Sequence, residues 1–197
     1  MITKIGDHVN VSDIVSYTGT LSIGHCSILG YGEKKGKILI GADLKIGAFS
    51  IIEYCTDIGD RCEIGNYCTI YSGSTIGNEV KILSGSRVYW DAIVGNRAII
   101  NGYVSANVVI EDDVRFFGRI AHSHRNHTLD WETTEEKSPI FKRGCFIGLN
   151  ALIIGAVTIG ENSYIAAGEI VRCNIPPDSV FYKDQIFDKR KFRGFII

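Results

Sequence analysis

An aliphatic residue recurs at every sixth position over much of this chain. Ten consecutive steps of six carry only isoleucine or valine: Ile40, Ile46, Ile52, Ile58, Ile64, Ile70, Ile76, Ile82, Val88 and Val94. The same step begins earlier, at Ile5, Val11, Tyr17, Ile23 and Leu29. It resumes later at Val104, Ile110 and Phe116, and again at Phe141, Ile147, Ile153, Ile159 and Ile165. A period of six matches neither the 3.6-residue period of an amphipathic helix nor the alternation of a simple strand, so it indicates a structural repeat.

The other positions of the hexad indicate a short strand followed by a turn. Glycine often follows the aliphatic residue directly, as at Gly41, Gly47, Gly59, Gly65, Gly77 and Gly95. A mostly small residue lies four positions after the aliphatic one, at Leu44, Ser50, Thr56, Cys62, Cys68, Ser74, Val80, Ser86, Ala92 and Ala98. We expect both the aliphatic and the small residue to point inward, with three hexads closing a triangular coil of about 18 residues. Successive coils would stack at the strand spacing of ~4.8 Å and bury one another's faces.

Three interruptions mark candidate functional segments, because departures from a repeat tend to carry function. A Gly/Lys-rich stretch at 30–37 predicts a protruding loop, and a small phase slip occurs around Gly102 and Tyr103. The longest interruption follows Ile120 and lasts until Phe141. We call residues 121–140 the histidine segment, since it holds three of the five histidines of the chain, His122, His124 and His127.

The segment IGLNALIIGAVTIGENSYIAAGEIVRCNIPPDSV, after the histidine segment, resembles the C-terminal coils of hexapeptide-repeat acyltransferases. It departs from that pattern at Ala166, where glycine is usual, and at Glu169, where a small residue is usual. The resemblance implies an all-β fold, a left-handed parallel β-helix of hexapeptide repeats with an external loop near 121–140 and a short C-terminal tail. We expect one acyltransferase domain over 1–180, with loop insertions at 30–37 and 121–140, and a C-terminal extension over 181–197.

A second resemblance points to the catalytic residues. The stretch HTLDWETTEEKSPIF is similar to an HPTDWxSTxPxF pattern in the branch of these transferases that includes xenobiotic and polysaccharide acetyltransferases. It implies His127 as the general base, and His124 is the second candidate. A neutral imidazole, with an ordinary pKa near 6.5, suits proton removal from an attacking hydroxyl or amine. Asp130, Glu132 or a backbone carbonyl is the candidate partner for its second nitrogen.

The family resemblance also implies a donor and an assembly. Coenzyme A in this family lies between coils and subunits, which by motif position gives Leu149, Ala167, Arg172 and Cys173, with Arg172 and Lys183 as candidate phosphate contacts. We therefore expect acetyl-CoA as the acyl donor, a homotrimer, and a sugar or sugar nucleotide as acceptor of O- or N-acylation. No serine or cysteine nucleophile is evident in the sequence, so direct transfer in a ternary complex is expected. Trp90, Tyr103 and Trp131 are candidates for stacking on the acceptor, with core or loop packing as the alternative for each.

Composition narrows the class of partner. The 21 basic residues are balanced by 22 acidic ones, so no long-range attraction for nucleic acid is expected. No apolar run approaches the ~20 residues of a membrane span, and the N-terminus lacks the apolar core of a signal peptide. Six cysteines without a CxxC pair suit a reducing compartment, so we expect a cytoplasmic protein. No nucleotide-binding segment precedes the repeat, so a fused uridylyltransferase is not expected.

Two other functions remain open from the sequence. His122 and His127 have the five-residue offset found in γ-class carbonic anhydrases, which share the expected fold. A catalytic zinc site needs a third protein ligand, and the remaining histidines, His8 and His25, lie five or more coils upstream, so we predict no metal site. The second alternative is a β-helix without enzymatic activity that acts as an assembly module, which three histidines in one segment argue against.

Overall fold

The computed structural model describes residues 2–13, 15–32, 36–123 and 137–194. Within these ranges the chain forms 28 short β-strands and no helix. Consequently, no helix in the described ranges is long and apolar enough to span a membrane.

The strands form three sheets, each of which is one face of a prism. Sheet I contains β1 (Ile2–Ile5), β4 (Leu21–Ile23), β7 (Leu44–Ile46), β10 (Glu63–Ile64), β13 (Lys81–Ile82), β16 (Ile99–Ile100), β19 (Arg115–Phe116), β22 (Phe146–Ile147), β25 (Tyr164–Ile165), β27 (Ser179–Tyr182) and β28 (Gln185–Asp188). Sheet II contains β2 (Asn10–Val11), β5 (Ile28–Tyr31), β8 (Ile51–Glu53), β11 (Thr69–Ile70), β14 (Arg87–Val88), β17 (Tyr103–Val104), β20 (Arg119–Ala121), β23 (Leu152–Ile154) and β26 (Ile170–Val171). Sheet III contains β3 (Val15–Tyr17), β6 (Ile38–Ile40), β9 (Asp57–Ile58), β12 (Thr75–Ile76), β15 (Ile93–Val94), β18 (Val109–Ile110), β21 (Ile140–Phe141) and β24 (Thr158–Ile159).

From β1 to β23, each strand pairs in parallel with the strand three places later, so that equivalent hexad positions lie above one another, whereas β25 pairs in parallel with β27 and β28 returns antiparallel to β27. In sheet I, for example, Ile46 pairs with Ile64 and Ile64 pairs with Ile82. The chain thus winds through about nine coils, and each of the first eight coils contributes one strand to every sheet. The predicted all-β, left-handed parallel β-helix of hexapeptide repeats is confirmed.

The core runs along the axis of the prism and contains the residues that the hexad predicted. All ten aliphatic positions from Ile40 to Val94 are buried, and the ten small positions from Leu44 to Ala98 are buried as well. In the seventh coil, Phe116 and Phe141 pack edge to face, with ring centroids 5.3 Å apart. The first coil differs, since Ile5 is 47 % exposed. No further coil covers that end of the described stack, so its inward side chains are buried on one side only.

The phase slip around Gly102 is a shortened corner. The connection from β16 to β17 has two residues, Asn101 and Gly102, and the next coil repeats the shortening at Phe117 and Gly118. A Cβ atom on Gly102 would lie 2.0 Å from the Gly118 carbonyl oxygen, and the φ of Gly102 is +138°. Only glycine fits this close approach of two backbones. The sequence showed the first shortening but not the second.

The interruptions are close to their predicted limits. Strand β5 continues through Gly30 and Tyr31, so the first connection is shorter than the predicted loop 30–37, because Tyr31 still pairs with Glu53 across a bulge. Strand β20 ends at Ala121 and β21 begins at Ile140. Residues 33–35 and 124–136 lie outside the described residues. The hairpin of β27 and β28 crosses position 180, and the division of the chain at that position stays a prediction.

Candidate functional site

Both interruptions leave the prism from the same edge. We call the edge between sheets II and III the insertion edge; it consists of connections 32–37, 54–56, 71–74, 89–92, 105–108, 122–139, 155–157 and 172–174. The first interruption belongs to the second coil and the histidine segment to the seventh. The coil spacing therefore places them on one line, roughly 24 Å apart.

The edge between sheets III and I, which we call the ladder edge, is regular by comparison. Side-chain oxygens of Asp60, Asn78, Asn96 and Asp112 each accept the N–H of the equivalent residue one coil earlier, at 2.7–2.8 Å. Ion pairs lie beside them: Arg61 with Glu79, Arg97 with Asp113, Lys142 with Glu111 and Arg143 with Asp112. The side chains of this edge are thus occupied with one another.

A cleft of about 500 Å³ opens on the insertion edge, directly beside the start of the histidine segment. It is lined by Ser123, Ile154, Gly155, Ala156, Val157, Arg172, Cys173 and Asn174. The seventh, eighth and ninth coils each contribute one part of this lining. The cleft is therefore a feature of the stacking, and a single coil cannot form it.

The local sequence fixes where the chain leaves the prism. The Gly155 N–H donates to the Ala121 carbonyl at 3.0 Å, which extends the ladder of sheet II by one bond. Gly155 has φ +75°, and a Cβ atom there would lie 3.3 Å from the Cβ of Ser123. Because Gly155 has no side chain, Ser123 can lie directly against the eighth coil at this corner. His122, which lies between Ala121 and Ser123 in the chain, is half-buried at the point where the chain leaves the prism.

Two of the five predicted coenzyme A contacts line the cleft. Arg172 and Cys173 follow β26 directly, and both are exposed. The next residue, Asn174, accepts the Thr158 N–H on its side-chain oxygen at 2.8 Å, which holds the corner against the coil before it. Arg172 has no carboxylate within ion-pair distance in the described part of the chain. Its guanidinium is available for an anionic ligand.

The other three predicted contacts lie on a different edge, between sheets I and II. Leu149 is exposed at the corner after β22, and its carbonyl accepts the Gly168 N–H at 2.9 Å, next to Ala167. Lys183 lies at the tip of the β27–β28 hairpin on the same side. Within one copy of the chain, the width of sheet II separates these three residues from Arg172 and Cys173.

Glu169, the residue that departs from the family pattern, holds that hairpin. Its two carboxylate oxygens accept the backbone N–H groups of Lys183, at 2.8 Å, and Asp184, at 3.2 Å. Both turn residues have positive φ, 50° and 56°. The ammonium group of Lys183 lies 5.3 Å from the centre of the Tyr182 ring. The acidic residue at 169 thus replaces a small corner residue because it binds the turn that closes the stack.

The predicted catalytic residues lie outside the described residues. His124, His127 and Asp130, together with Glu132 and Trp131, fall within 124–136. Their assignment stays a prediction, as do the coenzyme A contacts. The structure does describe the two ends from which the segment departs and returns, Ser123 and Lys137.

The side of the cleft that faces Arg172 and Cys173 consists of Ser123 and the corner 154–156, and it was not predicted from the sequence. One signal was present: Gly155 lies two positions after Ile153, whereas most glycines of the repeat follow the aliphatic residue directly. That shift marks a corner with left-handed backbone.

The buried thiols do not supply a nucleophile. Cys62, Cys68 and Cys145 are buried in the core, and burial raises the pKa of each thiol, to about 12 for Cys145. They therefore remain protonated and unreactive near neutral pH. In the ranges that the structure describes, no group of three or more His, Cys, Asp or Glu side chains is placed to hold a metal ion.

Parts of this chain are similar in sequence to known proteins. Residues 37–72 match the family model described as bacterial transferase hexapeptide (six repeats). The Bifunctional protein GlmU of Listeria welshimeri is 25 % identical over 178 residues, which is 90 % of this chain and 37 % of that protein. The Bifunctional protein GlmU of Syntrophomonas wolfei is 29 % identical over 173 residues, 73 % of this chain and 38 % of that protein. The chain thus spans well under half the length of these curated relatives.

Among solved structures, the polySia specific acetyltransferase NeuO superposes with a TM-score of 0.46 at 17 % identity. The superposition covers 95 % of this chain and 85 % of that one. The chain is a left-handed β-helix of stacked hexapeptide coils, and over residues 37–72 its repeat is similar to that of the bacterial transferase hexapeptide family.

Proposed function

We propose that the chain is an acyltransferase that moves the acetyl group of acetyl-CoA onto a hydroxyl or amino group of a sugar. The observation that carries this proposal is the cleft on the insertion edge, where Arg172 and Cys173 face Ser123 beside the histidine segment. This arrangement puts a guanidinium that has no carboxylate partner among the described residues next to the segment that holds the candidate general bases.

The chemistry is a direct transfer. The acceptor oxygen or nitrogen attacks the thioester carbonyl while a neutral imidazole, His127 in the first instance and His124 in the second, removes the proton. A tetrahedral intermediate forms, and its oxyanion needs hydrogen-bond donors, which backbone N–H groups near the cleft provide. The intermediate collapses by breaking the carbon–sulfur bond, and the imidazolium returns the proton to the coenzyme A sulfur. Asp130 or a backbone carbonyl would fix the imidazole tautomer.

A trimer would reconcile the two groups of predicted donor contacts. One copy of the chain holds Arg172 and Cys173 on the insertion edge, and Leu149, Ala167 and Lys183 on the edge between sheets I and II. When three prisms pack around a threefold axis, an edge of one copy lies against a different edge of its neighbour. We propose that the donor lies between copies and is contacted from both sides.

The first experiment measures donor binding. Thermal unfolding is followed with increasing acetyl-CoA, because a ligand that binds only the folded state raises its apparent stability. A rise in Tm that saturates with acetyl-CoA supports the proposal, and ATP serves as the control for a nonspecific phosphate effect. The absence of any shift with acetyl-CoA or free coenzyme A would refute it.

The second experiment identifies the acceptor and the assembly. Free thiol release from acetyl-CoA is measured against a panel of sugars, sugar nucleotides and amino sugars. Light scattering should give three times the 21.7 kDa chain mass, and a monomer would contradict the trimer alone. Stoichiometric zinc after extensive dialysis would favour the carbonic-anhydrase alternative over acyl transfer.

A further inference from the structure

On the coils that precede the cleft, the insertion edge carries a cluster of three aromatic rings, of which Tyr71 and Tyr89 are half-buried and Trp90 is exposed. Tyr71 and Tyr89, from the fourth and fifth coils, are stacked with centroids 4.7 Å apart and planes 6° from parallel. The Trp90 ring is inclined by 60° to both, at 5.0 Å and 5.6 Å, and Trp90 remains 46 % exposed. Tyr71 and Tyr89 cover each other's facing ring surfaces, whereas much of the Trp90 indole is exposed and available to a ligand.

Two arginines continue this cluster along the outer face of sheet II. Arg87, Tyr103 and Arg119 occupy consecutive coils in register. Both guanidinium groups lie over the Tyr103 ring, at 5.6 Å and 5.5 Å from its centroid. A side-chain hydrogen bond to Tyr89 raises the pKa of Arg87, and partial burial raises the pKa of Tyr71. We call Tyr71, Tyr89, Trp90, Arg87, Tyr103 and Arg119 the aromatic patch.

The two arginines of the patch lack the partners that basic residues have on the ladder edge. In the described ranges, neither Arg87 nor Arg119 has a carboxylate within ion-pair distance. In the part of the chain that the structure describes, two acids lie next to the rings of the patch, and both have other contacts. Glu53 accepts the N–H and the hydroxyl of Ser72, at 3.0 Å and 2.8 Å, and Asp91 has a side-chain oxygen against Gly73. Within the described ranges, the patch therefore presents two guanidinium groups without a carboxylate partner.

The position of the patch relates it to the candidate active site. It extends from the fourth coil to the seventh, about three coil spacings or ~14 Å. This length exceeds a single sugar ring and suits an oligosaccharide or a sugar nucleotide. The lower end, Arg119, is in the same strand as Ala121, after which the histidine segment begins. The cleft proposed for the donor lies on the seventh to ninth coils and includes Ser123.

We propose that the aromatic patch binds an acidic saccharide, with a sugar ring on Trp90 and carboxylate or phosphate oxygens on the guanidinium groups of Arg87 and Arg119, which flank the Tyr103 ring. This inference rests on the proposed function, since it makes the saccharide the acyl acceptor. Aromatic faces receive the apolar face of a sugar ring, and the guanidinium fork matches the geometry of carboxylate and phosphate.

The chain contains a matched control for the stacked rings. Phe49 and Tyr67 are also stacked, with centroids 5.0 Å apart and planes 2° from parallel, but they lie on the edge between sheets I and II. Arg97 is a matched control for the arginines, because it lies on the ladder edge and is paired with Asp113. Tyr67→Ala and Arg97→Ala thus remove the same chemistry away from the patch.

The test uses Trp90 as its own reporter. The chain has two tryptophans, so Trp131→Phe leaves Trp90 as the sole indole. In this background, emission is titrated with four acidic probes, N-acetylneuraminic acid, cellobiuronic acid, glucose 1-phosphate and UDP-glucose, and with neutral cellobiose. We expect a saturable change with at least one acidic probe and binding at least tenfold weaker for cellobiose. Arg87→Ala or Arg119→Ala should weaken acidic binding at least tenfold, and Arg97→Ala should leave it unchanged. The carboxylate and phosphate probes show which anion is selected.

Kinetics with the acceptor found by the thiol-release screen complete the test. Trp90→Ala should raise KM for the acceptor at least tenfold without changing KM for acetyl-CoA, and Tyr67→Ala should change neither. The inference would be overturned if none of the four acidic probes binds, or if Arg87→Ala binds them as tightly as the Trp131→Phe background does. A fall from oligomer to monomer in Trp90→Ala would also overturn it, because the patch would then be a contact between copies. Saccharide binding without any affinity for acetyl-CoA would refute the proposed transferase and leave the saccharide site intact.

Discussion

The insertion edge and the ladder edge are built from the same hexad, but their side chains have different partners. On the ladder edge, many corner side chains bind the coil before or after them: Asn96 accepts the Asn78 N–H, and Arg97 is paired with Asp113. On the insertion edge, Arg172 has no carboxylate partner in the described ranges, and the Ser105 hydroxyl is buried there without a hydrogen bond. One edge stabilises the stack, and the other leaves polar groups available.

This difference shows how a repeat protein separates stability from function. The core ladder of isoleucine and valine is common to all edges, so a corner can depart from the repeat while the coil keeps its core. Both interruptions, the cleft and the ring cluster of Tyr71, Tyr89 and Trp90 lie on one edge. Groups without partners on that edge cost some stability, which the other edge offsets with its hydrogen-bonded side chains.

The largest expected effect comes from removing the candidate base. His127→Ala should lower kcat by about 100- to 10,000-fold, the usual contribution of a general base, while KM for acetyl-CoA stays nearly unchanged. Steady-state thiol release measures both constants. If His124 is the base instead, the loss moves to His124→Ala.

A matched histidine tests whether the effect belongs to the insertion edge. His25 lies on the edge between sheets I and II, where its ring nitrogen accepts the Asp7 N–H at 2.8 Å. His25→Ala should retain wild-type turnover. Near-normal turnover in both His127→Ala and His124→Ala would remove the imidazole from the proposed mechanism.

The next effect concerns the donor. Arg172→Ala should raise KM for acetyl-CoA about tenfold, the loss expected for one charge-assisted contact to phosphate. The same truncation on the ladder edge, Arg97→Ala, should leave KM unchanged because its partner is Asp113. Equal KM values for the two variants would take Arg172 out of the donor site.

The fold was predictable because the hexad acts locally and repeats many times. Each aliphatic position from Ile40 to Val94 needs burial, and only stacked three-sided coils bury all of them at a period of six. Deviations that depend on the contact between two coils were less visible. Gly118 gave no separate signal, since its shortened corner is explained by its close approach to Gly102 and Ala151 of the neighbouring coils.

The candidate site was predictable only in part. Motif position identified Arg172 and Cys173, which line the cleft, but gave no indication that Leu149 and Lys183 lie on another edge. To predict the edge on which a residue lies, one must know the length of every earlier corner. Shortened corners and insertions change those lengths. Trp90 and Tyr103 were recognised as possible stacking residues, whereas Arg87 and Arg119 became visible only when the coils brought them over the Tyr103 ring.

A smaller effect separates the two edges by stability. Asn96→Ala removes the acceptor for the Asn78 N–H and the contact to Asp112, so it should lower the free energy of unfolding by about 1–2 kcal/mol. Ser105→Ala deletes a buried hydroxyl that has no partner in the described ranges, and it should be neutral or slightly stabilising. Urea unfolding measures both variants. A loss of similar size in Ser105→Ala would show that this hydroxyl is satisfied in solution.

The smallest effect is the pH dependence of one ladder-edge ion pair. The Glu111 carboxylate accepts from Lys142 at 2.6 Å and from the Arg143 N–H at 3.0 Å, and the Lys142 hydrogen bond lowers its pKa most. Because the folded pKa lies below the ordinary value, the stabilisation is present above that value and disappears as pH falls through the folded pKa. The pair is partly exposed, so Glu111→Gln should cost less than ~1 kcal/mol at pH 7. The difference from wild type should vanish near pH 3 in urea unfolding, whereas Glu161→Gln, which removes a carboxylate without an ion pair in the described ranges, should match wild type at both pH values. A Glu111→Gln deficit that persists at low pH would mean that the shape of the side chain, and not its charge, holds this corner of the ladder edge.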